Sequence, residues 1–197
     1  MSVGGYMNLE NILSDLVKCF YFSDPIGGDI EYKEIPIKVN AENISGQLLE
    51  YYQHLSFEGD CYFGDQFFGL VLFSIQSNGR ELSSWGLEDI HEWKNGRYTI
   101  FAKNTSDDVI FCDTSDEKCP VYGIISGGEY YHKLGDSLYD FLSFSIKLIR
   151  LEIIDYQGEI YSDNNFNIKE EFINDVSSLI NSSFSGKARE GVTKFLL

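Results

Sequence analysis

Acidic side chains are the main candidates for a chemical role in this sequence. The chain has 31 Asp and Glu residues against 15 Lys and Arg, so its formal net charge is −16. A concentrated set lies in the middle of the chain: Glu88, Asp89, Glu92, Asp107, Asp108, Asp113, Asp116 and Glu117. Carboxylates at this density could hold a calcium ion, act as an acid–base pair in hydrolysis, or present a negative surface to a partner.

Calcium binding is disfavoured by the loop spacing. An EF-hand loop beginning at Asp113 would place Lys118 at its sixth position, where glycine is needed, and Ile124 at its twelfth, where a bidentate glutamate is needed. A loop beginning at Asp163 also lacks the glycine and has Asn174 at its twelfth position. We therefore expect no metal site.

Catalytic motifs are missing from the sequence as well. It contains no glycine-rich dinucleotide loop, no Walker-type loop and no nucleophile elbow. His54, His91 and His132 are scattered, and no two stand four residues apart. In so acidic a chain, carboxylate pairs arise by chance, so solvated turn carboxylates are a simpler interpretation than a hydrolase site. We expect a protein that is not an enzyme and that uses no cofactor.

The cysteines and the apolar runs indicate a reduced compartment. Cys19, Cys61, Cys112 and Cys119 show no zinc-ligand spacing, and two of them lie inside apolar runs. Residues 1–20 lack the basic and apolar regions of a signal peptide, and no apolar run approaches the ~20 residues that span a bilayer. We expect a cytoplasmic protein without a membrane contact.

The net charge limits the class of partner. Direct nucleic-acid binding requires a basic footprint, which a chain of charge −16 lacks. The charge favours a basic protein partner, although a solvated acidic surface explains it equally well. Trp93 stands among Glu88, Asp89 and Glu92 and could anchor an interface. A tryptophan at the edge of the core is the alternative.

Apolar spacing predicts the elements of the first half. Residues 1–7 read as a flexible leader, and apolar residues from Leu9 to Phe20 recur every three or four positions, which predicts a helix capped by Asn8. An extended segment is expected over 29–39. A second helix is expected over 41–55 after Asn40, then a turn over 57–60. Two strands follow within 61–76, split at Gly64, and a short helix or loop covers 80–95.

The acidic turns belong to a predicted antiparallel meander. Apolar runs at 98–102, 109–112 and 121–125 alternate with the turns, as in consecutive short strands. A loop is expected over 126–135. The capping-box spacing of Ser137 and Asp140 then begins a helix. Strands bracketed by helices predict an α+β fold with a central, mainly antiparallel sheet flanked by helices.

The C-terminal part, residues 151–197, is expected to be a hairpin and helix extension of the same domain. Residues 151–161 are predicted to form the hairpin, and Asn167 is predicted to cap a final helix. The tail from Ser182 onwards is predicted to fray, although its last three residues could dock.

One region resembles the SMI1/KNR4 domain of the SUKH superfamily. The motifs are Trp93, Ile-Phe-Ala at 100–102, Ser-Asp-Asp-Val-Ile-Phe at 106–111, Asp113, Pro-Val at 120–121 and Asp-Ser-Leu-Tyr-Asp-Phe-Leu at 136–142. The similarity spans about residues 85–150 and, more loosely, 8–150. It implies an α+β fold and a non-catalytic role. Many bacterial members are immunity proteins that neutralise a cognate toxin, often a nuclease.

Charge and resemblance together predict an acidic immunity-type protein that occludes a basic toxin domain, as a monomer or weak dimer. A regulatory scaffold, the role of eukaryotic relatives, is the alternative function. The expected partner-binding residues are Glu88, Asp89, Glu92, Trp93, Asp107, Asp108, Asp113, Asp116 and Glu117.

Overall fold

A seven-stranded antiparallel sheet forms the centre of the computed structural model, which describes residues 9–40, 44–87 and 89–197. Each strand pairs with the next one along the chain. The strands are β1 (Gly27–Tyr32), β2 (Leu55–Gly64), β3 (Gly69–Leu72), β4 (Tyr98–Asn104), β5 (Val109–Asp113), β6 (Val121–Ile124) and β7 (Tyr131–Gly135). Together with the helices, this sheet confirms the α+β fold class.

Helices cover both faces of the sheet. They are α1 (Leu9–Phe22), α2 (Gly46–His54), α3 (Asn78–Ser84), α4 (His91–Lys94), α5 (Leu138–Arg150), α6 (Glu170–Ser183) and α7 (Gly186–Leu196). A short 3₁₀ helix (Ile75–Ser77) precedes α3, and a π-helical turn (Leu151–Asp155) continues α5. In the described part of the chain, no helix combines the length and the apolar character needed to cross a bilayer.

Two hydrophobic cores result, one on each face. The larger core joins apolar residues of α1, α2, α5, α6 and α7 to inward residues of the sheet such as Phe63 and Phe101. The smaller core lies under α3 and α4 and is centred on Trp93 and Phe111. Because both faces are covered, every residue of β5 is buried. A β-bulge in β4 places Phe101 and Ala102 together in the larger core while Ile100 joins the smaller one.

The strands and caps with the clearest patterns are confirmed. The runs at 98–102, 109–112 and 121–125 are β4, β5 and β6, and they form the expected antiparallel meander. Ser137 caps α5, since its hydroxyl accepts a hydrogen bond from the Asp140 amide at 3.0 Å. The helix predicted from Leu9 is α1; its predicted cap, Asn8, lies outside the described residues.

Between residues 29 and 60 the structure differs from the prediction in three places. Helix α2 begins at Gly46 after Ser45 and not after Asn40. Residues 57–60, predicted as a turn, lie inside β2. A register shift in the β1–β2 pairing and a positive φ of 81° at Gly59 accommodate the polar, glycine-containing sequence within the strand. The extended segment predicted over 29–39 contributes only its first residues, to β1.

The loop predicted over 126–135 contains β7, and the tail predicted to fray forms α7. Strand β7 has a weak apolar pattern because only Leu134 and Gly135 are buried. Helix α7 buries Ala188, Val192 and Phe195 in the larger core, on the inner side of β7.

The hairpin predicted over 151–161 is also wrong. The π-helical turn extends α5 there, and strand-like pairing is limited to one bridge between Tyr161 and Ile168. Helix α6 begins at Glu170 after Lys169, and the predicted cap, Asn167, instead donates a side-chain hydrogen bond to the Asp163 carboxylate at 2.7 Å.

Gly191 sets how closely α7 approaches the sheet. A β-carbon at this position would lie 2.0 Å from the Lys133 carbonyl oxygen. We expect Gly191→Ala to lower the free energy of unfolding by about 1–3 kcal/mol, because backbone cannot move aside as a flexible side chain can. The loss would occur although alanine favours a helix over glycine by about 1 kcal/mol. Urea denaturation measures the change.

Gly27→Ala is the matched control. No atom lies within 4 Å of a β-carbon at Gly27, so its effect should stay within about 0.5 kcal/mol. An unchanged stability of Gly191→Ala would contradict the close packing of α7 on β7.

Candidate partner-binding surface

The meander separates the two acidic turns that the sequence places close together. The β4–β5 turn covers residues 105–108, and the β5–β6 turn covers residues 114–120. Because β5 runs from one turn to the other, they lie at opposite ends of the sheet. Strand β5 has five residues, which at ~3.4 Å per residue separates the turns by about 15 Å. The predicted binding residues therefore do not form one surface.

In the β4–β5 turn, two adjacent aspartates have opposite roles. Asp108 is buried, and its carboxylate accepts hydrogen bonds from the Asn104 side chain at 2.8 Å and the Ser126 amide at 2.7 Å. Asp107 is exposed, adopts a φ of 63°, and pairs with Lys103 at 2.7 Å. Asp108 therefore holds the β6–β7 loop to this turn and is not available to a partner, which corrects its predicted role.

In the β5–β6 turn, Asp113 is likewise an internal residue. Its carboxylate accepts hydrogen bonds from the Arg97 guanidinium, the closest at 2.8 Å, and from the Ser115 amide and hydroxyl. Burial alone would raise the pKa of Asp113, but the hydrogen bonds from Arg97 and Ser115 prevail and lower it. The carboxylate fixes the start of the turn, and its burial leaves little surface for a partner, which is a second correction.

The rest of this turn is held by backbone contacts with two helices. The Glu117 carbonyl accepts from the Gln47 amide at 2.8 Å, and the Lys118 carbonyl accepts from the Leu138 amide at 2.9 Å. Gly46 lies so close that a β-carbon there would be 2.3 Å from the Glu117 oxygen. Asp116 and Glu117 themselves are exposed. Their carboxylates therefore project from a backbone that α2 and α5 keep in place.

Trp93 belongs to the smaller core. It is 2% exposed, its Nε1 donates to the Tyr131 hydroxyl at 3.1 Å, and its ring lies 4.7 Å from that of Phe111. The alternative interpretation, a tryptophan at the edge of the core, describes this environment. The prediction of an exposed interface anchor is not supported by this position.

The segment that carries Trp93 reaches the same end of the sheet as the β5–β6 turn. Thr114 donates hydrogen bonds to the carbonyls of Gly96 and Arg97, at 2.9 and 2.8 Å. Along this segment Asp89 is exposed and Glu92 is partly exposed, whereas Glu88 lies outside the described residues. Glu92 acts electrostatically on Arg97, whose guanidinium bonds to Asp113. We call the set Glu92, Asp116 and Glu117 the acidic end.

The acidic end consists of exposed or partly exposed carboxylates. Across residues 9–40, 44–87 and 89–197, no group of three or more His, Cys, Asp or Glu side chains is arranged to hold a metal ion. The cysteines Cys19, Cys61, Cys112 and Cys119 are free and buried, and burial raises the pKa of each thiol. Such thiols are poor nucleophiles at neutral pH.

Comparison with family models, with curated proteins and with solved structures returned no match to this chain. The contacts and charges of the acidic end therefore carry the functional proposal below.

Glu152 is a buried carboxylate that the sequence pattern did not single out. It lies in the π-helical turn after α5 and is fully buried. Its two oxygens accept hydrogen bonds from the Phe67 and Phe68 amides at 2.7 and 3.1 Å, which holds the β2–β3 loop. Burial raises the pKa of Glu152 to about 7, against the opposing effect of these amides. No local sequence pattern could have identified Glu152, because its partners Phe67 and Phe68 lie 85 and 84 residues away in the chain.

This raised pKa predicts a pH-dependent stability. The folded chain holds the Glu152 proton more tightly than the unfolded chain, so the stabilisation is fully present below pH 4.5 and is lost as the pH rises through about 7. The loss between about pH 5 and about pH 8 should be about 2–3 kcal/mol. Urea unfolding of the wild type and of Glu152→Gln measures it, and the variant should lack this part of the pH dependence.

Asp155→Asn is the control, because Asp155 is an exposed carboxylate in the same π-helical turn. It should keep the wild-type pH dependence. Equal pH dependence of Glu152→Gln and the wild type would contradict the assignment.

Proposed function

We propose that this chain is a non-catalytic binding protein that neutralises a basic protein toxin, of the nuclease class, by covering its active surface. The observation that carries the proposal is the acidic end, where Asp116 and Glu117 are exposed on a turn whose backbone is bonded to α2 and α5, in a chain of net charge −16. The resemblance of residues 85–150 to the SMI1/KNR4 superfamily points to the same role.

Charge complementarity supports this partner class. A nuclease surface is basic because it must hold phosphate groups. A strongly acidic protein approaches such a surface with electrostatic steering, which accelerates association and makes it sensitive to salt. Occlusion then needs no chemical step, and one copy of this chain inhibits one toxin domain.

The rigid backbone of the β5–β6 turn supports tight binding. A loop that orders only on binding loses conformational entropy at that moment, which weakens the complex. Here the hydrogen bonds from Gln47 and Leu138 to the turn carbonyls, and the Arg97–Asp113 pair, already fix the turn in the free chain. Asp113 thus contributes to binding through the position of Asp116 and Glu117.

Reversing the exposed charges tests the proposal. We expect the wild type to form a one-to-one complex with a basic nuclease domain encoded by the neighbouring gene, and to abolish its nuclease activity at equimolar ratio. Asp116→Lys/Glu117→Lys should weaken the complex by about 2 kcal/mol or more and should reduce its salt dependence. Isothermal titration calorimetry at two salt concentrations measures both effects.

A control at the opposite end of the sheet separates local contact from overall charge. Asp107→Lys/Glu129→Lys changes the formal charge by the same amount at two exposed positions. It should change affinity by less than about 0.5 kcal/mol, because charges this far from the contact are largely screened. Equal losses in both variants would reject the acidic end as the contact. The absence of one tight partner, with several weak ones in its place, would favour the regulatory scaffold.

A further inference from the structure

A groove of about 490 Å³ lies between α7 and the last two strands, and its rim is basic although the chain carries a net charge of −16. Tyr122, Tyr131, His132 and Lys133 form the strand side, and Lys187 and Lys194 form the helix side. This surface has the opposite charge to the acidic end, and the proposed function does not use it.

Core packing fixes which face of α7 meets the groove. Ala188, Val192 and Phe195 are buried in the larger core, so the exposed positions between them face away from it. Lys187 and Lys194 are seven residues apart, which places them on one helix face about 10 Å from each other. Both line the groove because the opposite face of α7 is fixed against the sheet.

Lys187 and Lys194 of α7 are both exposed, and neither has a carboxylate partner within the described residues. Lys133 differs from them, because it pairs with Asp136 and this hydrogen bond raises its pKa. Glu190 contributes a carboxylate to the lining. The ammonium groups of Lys187 and Lys194 therefore remain available to a negatively charged ligand.

The strand side of the groove is preorganised. The Tyr131 hydroxyl accepts a hydrogen bond from Trp93 Nε1 at 3.1 Å, and its ring lies 5.1 Å from that of Phe111. Part of the Tyr131 ring remains exposed. A fixed aromatic wall opposite two flexible cations is suited to a ligand that combines a flat or apolar part with an anionic group.

We propose that this groove binds a small organic anion whose charge is carried by a phosphate group. Its volume falls within the range of about 300–1,000 Å³ that is typical of small-molecule sites. Ammonium groups bind phosphate oxygens through charge-assisted hydrogen bonds. Charges beyond about 8 Å are screened at physiological salt. A small anion inside the groove therefore senses the lysines, whereas a long polyanion would extend over the acidic surface and be repelled.

Titration with adenosine monophosphate, inorganic phosphate and adenosine tests the proposal on the full chain. In amide-detected NMR, adenosine monophosphate should cause saturable shifts at residues 131–133 and 187–194, and adenosine should cause none. Lys187→Gln/Lys194→Gln should weaken binding at least about tenfold. If inorganic phosphate binds as tightly as adenosine monophosphate, free phosphate is identified as the ligand. If inorganic phosphate binds more weakly than adenosine monophosphate, the organic part contributes to binding.

Lys147→Gln/Lys169→Gln is the control, because Lys147 lies in α5, Lys169 directly precedes α6, and neither has a carboxylate partner in the described structure. It should bind like the wild type, and thermal unfolding should show that both double variants remain folded. The proposal is overturned if no saturable shift appears at millimolar ligand, if adenosine binds equally well, or if the groove variant binds like the wild type.

Discussion

Each strand of the sheet pairs with the strand that follows it in the chain, so every connection reverses direction and successive turns lie at opposite ends. This constraint decides the layout of the whole molecule. The interior strand β5 is fully buried, because helices cover both faces of the sheet. The constraint also divides the acidic residues between two ends, and only one of those ends is braced by α2 and α5.

Buried carboxylates support exposed ones in this fold. A carboxylate removed from water is strongly destabilising unless donors replace its hydration. Asp108 obtains donors from Asn104 and Ser126, and Asp113 obtains them from Arg97 and Ser115. Each buried group thereby fixes the turn that carries its exposed neighbours. The same charge type thus has a structural role inside the sheet ends and a proposed binding role on the surface.

The sequence predicts elements whose signals are local. The apolar stripe of α1, the capping box at Ser137 and the three strands of the meander all depend on spacing within a few residues. Strand β7 and helix α7 were missed because their stability comes from long-range packing, above all the contact between Gly191 and Lys133. The start of β2 was missed because a bulge accommodates a sequence that resembles a turn.

The candidate site was predictable only in part, for the same reason. Asp107 and Asp108 are adjacent and chemically identical, yet one is exposed and the other is buried. Sequence spacing cannot reveal that difference, because it arises from the Asn104 and Ser126 donors. The position of Trp93 was equally hidden from sequence spacing. Its acidic neighbours suggest a surface position, whereas its contacts with Tyr131 and Phe111 place it in the core.

In the proposed complex, a basic partner covers the acidic end of the sheet and leaves the opposite end free. Amide hydrogen exchange of this chain, with and without the partner nuclease domain, tests it most directly. We expect added protection on binding at residues 89–97 and 114–119, with no change at 105–108 or 126–130. Protection at residues 105–108 and 126–130, with none at 89–97 and 114–119, would contradict this arrangement.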